Sequence, residues 1–188
     1  MKQIFLATGN KHKVAEIGTI LSEYGFEVVP KALEIIEPDY NSLKEVARFK
    51  AEQAFLQLKK PVIAEDTGVF FEGYNNFPGL IAKRVYQGIG FDGLLALINA
   101  AKTKRAFFRT VICFARSKKA MHLFSGTLKG KLVETVVEAD KDRLPYEKIF
   151  VPAGCTKTLV ELDLAQKNRI SHRALATRKL GEWLKENY

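Results

Sequence analysis

Cysteine is scarce: the 188 residues hold two, Cys113 and Cys155. They have no metal-ligand spacing and are too few for a disulfide framework, which excludes a zinc ribbon or a disulfide-stapled secreted scaffold. A reducing cytosol is the expected home. Long apolar runs are also missing. None approaches the ~20 residues that span a bilayer, and the apolar stretch near the start, Ile4-Phe5-Leu6-Ala7, is too short for a secretory signal. No repeat, low-complexity tract or Pro/Gly/Ser-rich linker interrupts the chain, so 1–188 reads as one domain, with two lobes. Acidic residues are outnumbered, 21 against 30 basic, for a net charge of +9. That surplus favours anionic partners such as nucleic acid, an acidic membrane surface or phosphorylated small molecules. The basic residues are dispersed (Lys59-Lys60, Lys102 to Arg105, Lys118-Lys119, Lys129 to Lys131) and form no arginine-rich arm, which argues against nucleic acid. A hydrophobic fraction of 47% excludes disorder of the whole.

What is present is an alternation of strand and helix signals. Gln3–Ala7 reads as a strand that breaks at Thr8-Gly9-Asn10. Val14, Ile17, Leu21 and Tyr24 then recur at helical spacing up to Gly25, and Phe26–Val29 reads as a second strand. Ser42 and Glu45 form a capping-box signature that opens a helix with an apolar stripe of Leu43, Val46, Phe49, Ala54 and Leu58. Pro61–Ala64 reads as a buried strand delivering Glu65-Asp66-Thr67-Gly68 at its end. Two helical stretches follow Pro78-Gly79. Arg105–Arg116 and Lys119–Lys129 are strand-like runs around a turn at Ser117-Lys118. After an irregular segment comes a short strand at Ile149–Val151, and a helix closes the chain from about Ser171 to Glu186. Strands alternate with helices early and cluster in the middle. This predicts an α/β protein with a mixed twisted sheet, flanking helices and a β-rich second lobe.

Three places carry candidate chemistry. In Thr8-Gly9-Asn10-Lys11-His12-Lys13, unpaired N–H groups of a helix start suit a phosphate, Gly9 allows close backbone approach, and Lys13 adds a charge. A plain Asn-capped turn is the other reading. Glu65 and Asp66 are adjacent carboxylates after an apolar strand, where ligands of open α/β sheets bind; they suit Mg²⁺ or an oriented water. At the start of the last helix, Ser171 is a natural N-cap, and His172 and Arg173 place cations against the helix dipole. An anion should offset them, and Lys167 lies just upstream.

These residues, with Pro38-Asp39-Tyr40, Phe77-Pro78-Gly79, Phe124-Ser125-Gly126 and Phe150-Val151-Pro152-Ala153-Gly154, occur in an order that resembles the inosine triphosphate pyrophosphatases, the enzymes of non-canonical purine nucleotides. The resemblance covers residue 4 to about 184. It implies two lobes around a central nucleotide-binding groove, a homodimer, and Mg²⁺-dependent hydrolysis of ITP, dITP or XTP to the monophosphate and pyrophosphate. By resemblance Thr8, Gly9, Asn10 and Lys13 hold the triphosphate. Asp39 and Asp66 hold the metal, Asp66 activates water with Glu65 beside it, and Thr67 touches substrate. Lys167, His172 and Arg173 meet phosphate or base. No Ser or Cys nucleophile is called for, so the cysteines read as structural.

One segment departs from the family pattern. Gly-Phe-Gly-Tyr-Asp-Pro is replaced by Arg143-Leu144-Pro145-Tyr146-Glu147-Lys148. The base-packing aromatic becomes Leu144, Pro145 removes an N–H donor, Glu147 stands for the aspartate, and Tyr146 is kept. Phosphate chemistry is thus better specified than base selectivity. Two alternatives stay open: the same reaction on another base, and a basic nucleic-acid-binding domain without catalysis.

Overall fold

Strand β1 (Lys2–Ala7) has parallel neighbours on both sides, β2 (Phe26–Lys31) and β3 (Val62–Phe71). Its apolar run from Ile4 onward is what a strand buried on both faces requires. Pro30 is accommodated because β2 is the edge strand. The molecule is known here from a computed structural model that describes residues 1–36 and 40–188. Asp39, expected as a metal ligand, lies outside the described residues. The remaining strands are β4 (Pro78–Gly79), β5 (Arg105–Ala115), β6 (Met121–Leu132) and β7 (Phe150–Pro152). The order is β2-β1-β3-β5-β6-β7, with β4 antiparallel on β3 and β7 antiparallel on β6. This is the expected mixed α/β sheet. Among the described residues five helices accompany it: α1 (Lys11–Glu23), α2 (Leu43–Leu58), α3 (Ala82–Ala100), α4 (Leu164–Ile170) and α5 (His172–Asn187).

The chain divides into two units. The first is built from Met1–Thr67, Thr110–Gly126 and Ser171–Tyr188, the second from Gly68–Arg109 and Thr127–Ile170. In the first, Ile17 and Leu21 of α1 and Leu180 and Leu184 of α5 join Ile4, Leu6 and Ile63 of the sheet in one buried core. In the second, Leu94 and Ile98 of α3 pack with Val69, Phe71, Phe108 and Phe150.

Local chemistry explains the element ends. Asn10 caps α1 by accepting from the His12 and Lys13 amides, and Gly25 takes the left-handed conformation (φ 86°) that ends it. Ser42 caps α2 by accepting from Glu45 N. The Glu45 carboxylate accepts from the Ser42 hydroxyl at 2.7 Å, whereas a capping box would turn it to the backbone. Gly90, at φ 59°, divides α3 into the two stretches read from the sequence.

Two expectations are corrected and one element is added. Glu65-Asp66-Thr67-Gly68 lies within β3, not at its end, because the strand leaves β1 after Ile63 and continues to pair with β4 at Val69 and Phe70. The buried stripe of α2 is Leu43, Val46, Ala47, Lys50, Ala51 and Ala54, so Phe49 and Leu58 are only half-buried. The short α4 had no distinct apolar period and went unread.

Gly126 of β6 marks where backbone meets backbone in the first unit. A methyl group there would strike the His172 carbonyl and come within 2.8 Å of Ala176 N, so α5 sits directly against the strand. Gly126→Ala should therefore lower stability by roughly 1–3 kcal/mol through overpacking, read as a reduced urea midpoint at unchanged m-value.

Candidate active site

In the first unit, three elements bring four charges together. Lys13 and Glu16 lie one helical turn apart on α1, the same face of a helix. Glu65 comes from β3 and Arg173 from the first turn of α5. Ser171 sets that turn: its hydroxyl accepts from Ala174 N at 3.1 Å. The Arg173 guanidinium, 1% exposed, donates from Nη1 to Glu16 Oε2 at 2.7 Å and from Nε to Glu65 Oε1 at 3.0 Å. Glu65 Oε2, which carries no regular hydrogen bond, faces the Lys13 ammonium in an ion pair. The Thr67 hydroxyl donates to Glu65 Oε1, and Thr110 of β5 lies 3.4 Å from the same oxygen. The anion expected to offset a cation at the start of α5 is thus supplied by the chain itself.

Burial alone would raise the Glu65 carboxyl out of the charged form, but Lys13 and Arg173 outweigh it and hold the pKa well below the ordinary range. Asp66 behaves in the opposite way. Burial lifts its pKa, Lys50 of α2 only partly counters this, and the Glu65 charge adds to the rise. Lys50 donates to Asp66 Oδ1 at 3.1 Å. Successive strand residues point to opposite faces, so two adjacent carboxylates have separate partners. Glu65 is committed to the buried network, whereas Asp66 pairs with Lys50.

At the β1–α1 turn, Thr8 Oγ1 accepts from Asn10 N and the Asn10 carbonyl is consumed by the cap. The Asn10 amide nitrogen and the Thr8 hydroxyl proton remain as donors beside the helix start, with Gly9 exposed between them. Thr8, Gly9, Asn10, Lys13, Glu65, Asp66, Thr67, His172 and Arg173 all fall in the first unit. His172 is buried.

The second unit holds the rest. Pro145–Ile149 is a 3-10 turn in which Glu147 N donates to Leu144 O. Tyr146 is buried, its hydroxyl donates to Ala82 O at 2.8 Å, and burial raises its pKa. That phenol is occupied by the backbone. Glu147 and Lys167 form a buried ion pair.

Sequence reading missed Glu16, Lys50 and Thr110. A signal existed for Lys50, since a lysine among Val46, Ala47, Ala51 and Ala54 interrupts an apolar face. Glu16 lay beside the α1 stripe with nothing to separate it from a solvated glutamate. The Cys113 thiol is pushed up to about 12 by burial, in keeping with a structural role.

Two outcomes follow. Arg173→Met removes the guanidinium that pairs with both buried carboxylates, Glu16 and Glu65, and should cost roughly 3–5 kcal/mol in chemical denaturation. A carboxylate whose folded pKa is depressed contributes stability in full above its unfolded pKa and loses it as pH falls towards the folded value. Below about pH 4, the native protein should lose stability more steeply than Glu65→Gln, as read from urea midpoints across that range.

Comparison with known proteins places the chain in a family. The sequence is 40% identical over 184 residues to the dITP/XTP pyrophosphatase of Hyperthermus butylicus, covering 97% of this chain and 95% of that one. It is 35% identical to the dITP/XTP pyrophosphatase of Pyrococcus horikoshii, with 98% of each covered. The fold is similar to that of a HAM1 protein from Coxiella burnetii, with a TM-score of 0.86 at 27% identity, covering 99% of this chain and 100% of that one. The Staphylococcus aureus Ham1 protein gives 0.82 at 25% identity, with both chains fully covered. A match to the Ham1 family spans residues 4–183. The chain belongs to the Ham1 family.

Proposed function

We propose that the chain hydrolyses non-canonical purine nucleoside triphosphates (ITP, dITP, XTP) to the nucleoside monophosphate and pyrophosphate, and so cleanses the nucleotide pool. The carrying observation is the division of labour on β3, where Glu65 is spent on Lys13 and Arg173 while Asp66 has Lys50 as its ion-pair partner. The names of the relatives from Hyperthermus butylicus and Pyrococcus horikoshii support the substrate class.

Mg²⁺ is the cofactor in this reading. Among the described residues no three His, Cys, Asp or Glu side chains gather into a protein-made cage. The donor set nevertheless suits magnesium, which keeps several waters and is bound by one or two carboxylates together with substrate phosphates. Asp66 supplies one carboxylate, and Asp39 is proposed as the other. When bound, the ion would offset phosphate charge and make water easier to deprotonate.

The chain's own residues do the rest. The Asn10 and Thr8 donors hold phosphate oxygens at the start of α1, and Lys13 lends charge to the anhydride that breaks. Asp66 takes the proton of the attacking water. Glu65 and Arg173 act as positioning residues that fix Lys13 and Thr67. Leu144, Tyr146, Glu147, Lys167 and His172 are proposed as the substrate contacts. Tyr146 contributes through its ring, since its hydroxyl is held by Ala82. A cytoplasmic homodimer completes the reading; among the described residues no helix is long and apolar enough to cross a membrane.

Asp66→Asn should lower kcat for dITP by roughly 10²–10⁴-fold with an unchanged urea midpoint. Products of the native enzyme should be monophosphate and pyrophosphate in equal amounts, lost on chelation of Mg²⁺. Release of orthophosphate in their place, or full activity in Asp66→Asn, would overturn the reading.

A further inference from the structure

Two basic runs that stand apart in sequence become neighbours in the second unit. Leu132 N donates to Lys104 O and Arg109 Nε donates to Thr127 Oγ1, at 3.1 Å for the latter. These bonds mark the two ends of one antiparallel β5–β6 register. Between them Phe107 stands opposite Lys129, and Arg105 opposite Lys131. Ala106, Phe108, Leu128 and Leu132 point the other way into the core. The outward face thus carries Arg105, Arg109, Lys129 and Lys131, all exposed. Arg105 is paired with Glu72 at 2.8 Å. Among the described residues, no ion pair engages Arg109, Lys129 or Lys131.

Planar groups run through this patch. Phe70 of β3 and Phe107 stack with centroids 4.7 Å apart and planes 8° from parallel. The Arg109 guanidinium lies 5.2 Å from the Phe107 centroid. Both rings are only half-buried although they stand on strands flanked by neighbours on both sides. A merely solvated lysine face has no use for stacked aromatics. A second copy of the chain is a poor occupant, because a two-fold contact would set the unpaired cations against each other. An anionic polymer with flat apolar faces answers both features, since phosphates meet the cations and bases extend the stack.

We propose that this face of the second unit, centred on Phe107 with Arg109, Lys129 and Lys131 around it, binds single-stranded nucleic acid. The dispersed lysines that argued against such a partner in the linear sequence are gathered by strand pairing. None of Phe107, Arg109, Lys129 and Lys131 is among the residues proposed for hydrolysis, so the two activities can be measured independently.

The test is fluorescence anisotropy of a labelled oligothymidine about twenty nucleotides long, titrated with the full chain. Three unpaired cations give a slope of about −2 in log affinity against log salt, or roughly a 20-fold loss between about 50 and about 200 mM salt. The triple variant R109Q/K129Q/K131Q should bind at least roughly tenfold more weakly at low salt and lose most of that slope. F107A should weaken binding roughly tenfold with the slope retained. Pyrophosphate release by the triple variant should be unchanged, which also reports that it folds. The proposal is overturned by an absence of binding at low salt, or by native affinity in the triple variant. Displacement of the oligonucleotide by poly-glutamate at equal charge would also overturn it, by assigning the face to acidic proteins. So would a changed oligomeric state of the triple variant, by assigning it to a second copy.

Discussion

The buried guanidinium of Arg173 is the constraint on which the first unit turns. A charge removed from water survives only when paired and hydrogen-bonded. Arg173 meets Glu16 on one helix and Glu65 on a central strand, and Glu65 in turn meets Lys13. Two cations and two carboxylates from α1, β3 and α5 thereby fix one another. Gly126 lets α5 reach its place, and Ser171 orients its first turn. Apolar packing of Ile17, Leu21, Leu180 and Leu184 supplies the driving force, while the charges specify how these elements align.

That network also separates two neighbours in sequence. A period of two along β3 sends Glu65 and Asp66 to opposite faces. The network keeps Glu65 ionised, whereas burial makes the Asp66 proton harder to lose. Adjacent carboxylates in different environments are a common way for one site to obtain a fixed charge and a titratable base. The triphosphate reading depends on this asymmetry more than on the presence of acids as such.

Much of this was legible in the sequence where local signals are strong. The strand of Gln3–Ala7, the Asn10 and Ser42 caps, the Ser171 cap and the hairpin at Ser117-Lys118 each follow from side-chain chemistry within a few residues. The ordered motifs led to Lys13, Glu65, Asp66, Thr67 and Arg173, which the fold gathers in one unit. What failed to show was long-range. Glu16 looked like any surface glutamate until α5, over one hundred and fifty positions away, brought Arg173 to it. The continuation of β3 past Ile63 depended on pairing with β4, which a two-residue strand scarcely signals. The gathering of Arg109 with Lys129 and Lys131 needed the β5–β6 register, and no composition count contains it.

The central claim is that water attacks the innermost phosphorus of a nucleoside triphosphate. Hydrolysis of dITP in ¹⁸O-labelled water tests it most directly, with both products examined by mass spectrometry. The account predicts the label in the nucleoside monophosphate and none in pyrophosphate. Label in pyrophosphate, or in released orthophosphate, would contradict it.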